Sequence, residues 1–178
     1  MKADVSIIIV SWNSFEITRQ CLKSVYEQTQ NIVFEVIAVD NASSDGSCEM
    51  IKKEFPKVRL ICNTENKGFA AANNQGIKKA DGEFILLLNS DTIILNNAIE
   101  KTIIEARRNP GAAIIGCKVL NPDMTLQSSF FRFPSLTNLF IAAMHLDSLF
   151  PENTFFGRER YARINLQNTT EVDVITGC

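Results

Sequence analysis

Asp91 stands just past an apolar run, Phe84–Leu88, in the stretch Asn89-Ser90-Asp91-Thr92, so the fold must hold a carboxylate at the rim of a hydrophobic strand. A carboxylate so placed suits Mg²⁺ or Mn²⁺, which one or two carboxylates hold while phosphate oxygens supply further ligands. Three other apolar runs also end in polar clusters: Ser11-Trp12-Asn13, Asp40-Asn41, and the stretch Asn63–Gly68. Any one of these alone reads as an ordinary loop or helix cap. Four together point to one polar crevice, because open parallel sheets bind ligands beyond the carboxyl ends of their strands. Asn66-Lys67-Gly68, followed by Asn74 and Gly76, brackets the small residues Ala70–Ala72. Small residues let a helix lie close to a sheet or let a ligand approach its backbone, and a helix N-terminus favours anions.

The elements that must position these groups follow from the apolar pattern. Val5–Val10 is a continuous β-branched run, the signature of a strand buried on both faces. Ser14 offers an N-cap for a helix to about Glu27, with Ile17, Cys21, Leu22 and Val25 at helical spacing. A second strand spans Val36–Val39. Ser43 or Ser44 caps the next helix, which Pro56 stops. Val58–Cys62 is a third strand, Phe69–Lys79 a helix, and Phe84–Leu88 a fourth strand. Asn96 or Asn97 caps a helix to about Arg108, and Ala112–Cys117 reads as a fifth strand. Alternating strands and helices imply right-handed crossovers: an α/β fold, Rossmann-like, with a mainly parallel sheet and helices on both faces. Beyond Val119 the rhythm breaks. Asn121-Pro122-Asp123 is a turn, Leu126–Phe133 a candidate strand, Leu136–Phe150 a candidate helix, Glu152–Asn168 a loop and Val172–Ile175 a last strand.

Composition narrows the functions. The 178 residues carry 18 Lys plus Arg against 20 Asp plus Glu, a net charge of −2, which speaks against a nucleic-acid partner. At 46% hydrophobic and 21% charged residues the chain is an ordinary globular one, long enough for a sizeable core. No leader pattern and no apolar run of about 18–20 residues appear, so a reducing, cytoplasmic setting is expected. Five cysteines without CxxC spacing indicate neither a disulfide framework nor a zinc site. There is no GxGxxG after the first strand, no GxxxxGK[ST] and no GxSxG, which removes dinucleotide-binding, P-loop and α/β-hydrolase readings.

VSIIIVSWNS, VIAVDNASSDGS, NKGFAAANNQG and FILLLNSDT, in this order from Val5 to Thr92, resemble the family 2 glycosyltransferases with the GT-A fold, most of all their bacterial rhamnosyltransferase-like branch. Arg132-Phe133-Pro134-Ser135 and the stretch from Val172 to Gly177 look like later blocks of that branch. The resemblance implies that Ser11, with its neighbours Val10 and Asn13, contacts the base and ribose of a nucleotide. Asp40, beside Asn41, would accept the N3–H of uracil or thymine. The block from Asn66 through Lys67, Gly68 and Asn74 would shape the nucleotide pocket. Asn89-Ser90-Asp91 occupies the place of the DxD motif, with Asp91 as the ligand of Mg²⁺ or Mn²⁺. Asn89 replaces the usual first Asp, and Asn73 stands where many members carry Arg.

The family's catalytic base comes from an acidic motif downstream of the block ending at Gly177. It is therefore expected beyond Cys178, and Asp173 is not assigned that part. The resemblance thus implies one GT-A domain, with 1–118 as its nucleotide-sugar half and 119–178 as an incomplete acceptor half. It implies an inverting transferase that moves a sugar from a UDP- or dTDP-sugar to a polysaccharide or lipid-linked glycan. A non-catalytic nucleotide-sugar-binding module is the alternative. Leu136–Phe150, roughly 22 Å long as a helix, is too short for a bilayer of about 30 Å. It is expected in the core, with peripheral contact at the inner face of the membrane as the competing reading.

Overall fold

The computed structural model describes residues 2–127, 129–131, 133, 135–149 and 169–175. It divides into two compact units, one ending at Ile115 and one beginning at Gly116.

The first unit is a four-stranded sheet in the order β3-β2-β1-β4, with β1 at Val5–Ser11, β2 at Phe34–Asp40, β3 at Arg59–Cys62 and β4 at Phe84–Asn89. All pairings are parallel. Between them run α1 (Phe15–Gln28), α2 (Ser47–Glu54) and α3 (Phe69–Ile77), and α4 (Ala98–Arg108) follows β4. Side chains alternate across a strand. Val5, Ile7 and Ile9 of β1 join Val36, Ala38 and Leu88 in a core with Cys21, Leu22 and Val25 of α1, Met50 and Ile51 of α2, and Ile99 and Ile103 of α4. Val10 and Val39 face the other way and pack with Ala72 of α3. A Cβ on Gly76 would stand 2.6 Å from Ile8 Cγ2, so α3 lies on β1 at glycine distance. The expected parallel α/β layers are therefore present.

Several local expectations are corrected. The second helix begins at Ser47 after Gly46 (φ 87), not at Ser43 or Ser44, because left-handed Ala42 (φ 67) turns the chain before a helix can start. Residues 112–117 form no strand; an apolar pattern alone does not make one. Cys48 and Cys62 are joined by a disulfide, their Cα atoms 6.5 Å apart, where none was expected. The β2–α2–β3 crossover brings the start of a helix beside the end of a strand, a juxtaposition that spacing along the chain does not reveal.

The ends of the strands opposite the polar crevice carry ion pairs. Arg59 meets Glu35 and Asp81, each at 2.7 Å, and Arg107 meets Asp4 and Glu83. Exposed pairs of this kind contribute about 0–1 kcal/mol each.

In the second unit, Leu120 and Leu126 bridge around the expected turn, and Asn121 N–H donates to Thr125 O at 2.8 Å. The strand expected at Leu126–Phe133 shrinks to β5 (Phe130–Phe131), antiparallel to β6 (Val174–Ile175). Asp173 accepts the Phe133 amide at 3.2 Å. The single helix expected at Leu136–Phe150 is instead α5 (Leu136–Ala143) and α6 (Leu146–Leu149), separated at His145, whose φ of 55 breaks the helical repeat. The loop expected at Glu152–Asn168, Phe150, Arg132, Pro134 and the segment Thr176-Gly177-Cys178 lie outside the described residues. Among the described residues no helix is long and apolar enough to cross a membrane.

Candidate functional site

Parallel pairing brings all four strand ends to one side. Register aligns Cys62 with Asp40, Asp40 with Ser11, and Val10 with Asn89. The polar clusters read from the sequence therefore stand in one row, as the crevice reading requires.

Asp40 sits in the middle of that row and is 1% exposed. Its Oδ1 accepts the Ser11 hydroxyl at 3.4 Å and its Oδ2 accepts the Ser43 amide at 2.9 Å. A carboxylate accepts about four hydrogen bonds, so lone pairs remain for an incoming N–H. Backbone bonds lock the surroundings: Asn41 N–H donates to Ser11 O at 2.8 Å, and Asn63 N–H donates to Asp40 O at 2.9 Å.

Asn41, also buried, organises the Asn66–Gly68 loop. Its Nδ2 donates to Asn66 Oδ1 at 2.7 Å, and its Oδ1 accepts the Lys67 amide at 3.0 Å and Asn63 Nδ2 at 3.1 Å. Asn66 Oδ1 also accepts the Gly68 amide at 2.9 Å. Gly68 (φ 80) then turns the chain into α3. Lys67 and Asn74 are exposed, and Asn73 is buried with its Nδ2 on Phe69 O at 3.0 Å. Asn13 (φ 47) ties two loops together: its amide donates to Ser43 Oγ and its Oδ1 accepts the Ser44 amide, both at 2.9 Å. Val10 is core, packed on Val39 and Ala72. Of the predicted residues, Val10 and Asn13 thus shape the rim through packing and loop bonds.

At the end of β4, Asn89 and Ser90 are half-buried and Asp91 is exposed. The Thr92 amide closes a turn on Asn89 O at 3.2 Å. Cys21 of α1 lies beneath, its thiol donating to Asn89 O at 3.6 Å. Burial pushes that thiol up to about 12, with the Asp91 charge adding to the shift and the Thr92 amide opposing it, so it stays protonated and donates.

Three residues escaped the sequence reading. Asp45 Oδ2 accepts the Phe15 amide at 2.9 Å, satisfying the first turn of α1, while its Oδ1 accepts the Ser47 hydroxyl at 2.6 Å and the Ser47 amide at 3.0 Å. Burial opposes its charge, and these donors outweigh that, holding its carboxyl below the usual carboxylate range. The signal was present: an Asp two residues before a helix start. Gln75 pairs with Asn63 through two amide bonds of 2.9 and 3.1 Å, which no local pattern announces. Trp12, beside Ser11, is 57% exposed, although large aromatics are usually well buried.

A family model described as Glycosyl transferase family 2 matches residues 6–172. Glycosyltransferase GlyG of Streptococcus pneumoniae is 34% identical over 117 residues, which cover 63% of this chain and 38% of that protein. A poly(ribitol-phosphate) beta-glucosyltransferase of Bacillus spizizenii is 33% identical over 148 residues, 72% of this chain and 23% of that protein. Among solved structures, S. aureus TarS 1-349 in complex with UDP-GlcNAc superposes with a TM-score of 0.57 at 27% identity, covering 73% of this chain and 38% of TarS. A mannosyltransferase of Pyrobaculum calidifontis, solved with GDP-Man and Mn²⁺, gives 0.55 at 24% identity, covering 69% and 37%, a likeness of fold alone. The chain spans less than half the length of these proteins. With the family's blocks standing at the carboxyl ends of a parallel sheet, and the family model spanning nearly its whole length, the chain belongs to Glycosyl transferase family 2.

Proposed function

We propose that this chain binds a UDP- or dTDP-sugar and forms the donor-binding part of an inverting transferase acting on a polysaccharide or lipid-linked glycan. The observation that carries the reading is Asp40: a buried carboxylate at the middle of the strand-end row, with protein donors for only part of its capacity. The imide N3–H of uracil or thymine supplies a donor of the right kind, and the amide-rich pocket of Asn41 and Asn66 supports a polar ribose beside it. Trp12 offers the base an exposed ring to stack on. Residues 1–118 form the nucleotide-sugar half in this reading, and 119–178 belong to the acceptor side.

The donor set at β4 fits Mg²⁺ or Mn²⁺. The Asp91 carboxylate is exposed and takes no hydrogen bond among the described residues, so its lone pairs are available. One carboxylate suffices when phosphate oxygens complete the shell. When bound, the ion neutralises the charge of the departing diphosphate. In this reading Asp40 and Ser11 hold the base, the Asn66–Gly68 loop bounds the nucleotide, and the acceptor hydroxyl attacks the anomeric carbon from the opposite face. No residue of this chain is assigned as the base that takes the acceptor's proton. Asn89 in place of a first acid favours a second reading, a binding module without turnover.

Calorimetry with UDP and dTDP, with and without Mn²⁺, tests the reading; binding of neither nucleotide overturns it. Donor hydrolysis then separates the transferase from the binding module.

A further inference from the structure

We infer that Ser24 and Cys21, on the buried face of α1, are positioning residues that hold the loop from Asn89 to Ile94, and Asp91 with it, in a cation-ready shape. The inference rests on the proposed reading of Asp91 as the metal ligand.

The Ile94 amide, on a residue 6% exposed, donates to Ser24 Oγ at 2.9 Å. That hydroxyl donates in turn to Cys21 O at 2.7 Å, so both its accepting and its donating roles are used inside the protein. One helical turn earlier, the Cys21 thiol donates to Asn89 O at 3.6 Å. A single helix therefore grips the loop backbone at two points: the carbonyl where β4 ends and the amide where the chain returns to the core. Between them Asp91 has no hydrogen bond of its own among the described residues, so only the backbone sets where its carboxylate stands. With one carboxylate in the motif, each increment of loop disorder is subtracted directly from metal binding. Ser24 and Cys21 hold the loop in place before the cation arrives. A serine inside a helix is a poor helix former, and here its hydroxyl satisfies a buried amide on another segment.

The test is calorimetric titration of the 178-residue chain with UDP, in EDTA and in Mn²⁺, for wild type, Ser24→Ala, Ser24→Thr and Cys21→Ala. Ser24→Ala is expected to lose roughly fivefold of the Mn²⁺-dependent gain in UDP affinity, the equivalent of one buried hydrogen bond, while affinity in EDTA stays within about twofold of wild type. Ser24→Thr keeps the hydroxyl and is expected to restore the gain. Cys21→Ala is expected to lose part of it, and it decides the matter if Ser24→Ala does not fold. A wild-type gain that survives in Ser24→Ala and Cys21→Ala overturns the inference, as does an equal loss with and without Mn²⁺. Absence of any gain in the wild type instead overturns the reading of Asp91 itself.

Discussion

Ser11 and Asp40 are register partners across β1 and β2, and the serine hydroxyl donates to the aspartate carboxylate at 3.4 Å inside the sheet's buried edge. The Ser43 amide fills the other oxygen. Replacing Asp40 by Asn introduces an NH₂ group that must face one of these donors or the incoming base. Asp40→Asn is expected to weaken UDP and dTDP binding by about 1–3 kcal/mol in calorimetry. Equal affinities for wild type and variant would remove Asp40 from the base site.

Asp91 is exposed and makes no hydrogen bond among the described residues. Asp91→Asn is therefore expected to shift unfolding free energy by no more than about 0.5 kcal/mol while erasing the Mn²⁺ dependence of UDP binding. Urea titration and calorimetry read the two halves separately. A Mn²⁺ effect that persists in the variant assigns the ion elsewhere.

Gly76 packs on Ile8 with no room for a methyl group, 2.6 Å separating the added Cβ from Ile8 Cγ2. Gly76→Ala is expected to cost about 1–3 kcal/mol by overpacking, read as a lower urea midpoint. Combining it with Ile8→Ala removes the clash, so the two losses are expected to fall short of additive. Strict additivity would place the α3–β1 contact elsewhere.

Asp45 provides a pH signature. Its carboxyl is held below the usual value of 3.8, so its contribution is present above that pH and is lost as pH falls through the lowered value. The stability advantage of wild type over Asp45→Ala is expected to be constant near neutrality and to vanish in strong acid, where both carry no charge at this position. An advantage that grows on acidification contradicts the capping role.

The parallel sheet was legible because its strands are short apolar runs that stop at polar clusters, most clearly β1, which is buried along its whole length. The position of Asp40, Asn41 and Asp91 at or just past strand ends was legible for the same reason: a strand's end can be read even when its neighbours cannot. What was not legible depends on partners distant in sequence. Residues 112–117 carry a strand's pattern and form no strand, and Cys48 reaches Cys62 only through the crossover. Ser43 and Ser44 look like helix caps, yet both bind Asn13 through their hydroxyls, and their amides donate to Asp40 and Asn13. Ser24 gives no signal at all, since its partner lies 70 residues away.

The strand order has a consequence in time. Protein chains emerge amino-terminus first. β1 lies between β2 and β4, so all the residues for its pairing with β2, and for β2's with β3, are present once Cys62 has been made. The Asp40 carboxylate and the Ser11 hydroxyl belong to that earlier part of the chain, whereas the strand for the other flank of β1 begins only at Phe84. The sheet's central strand is therefore, in order of synthesis, the one whose second neighbour is made last.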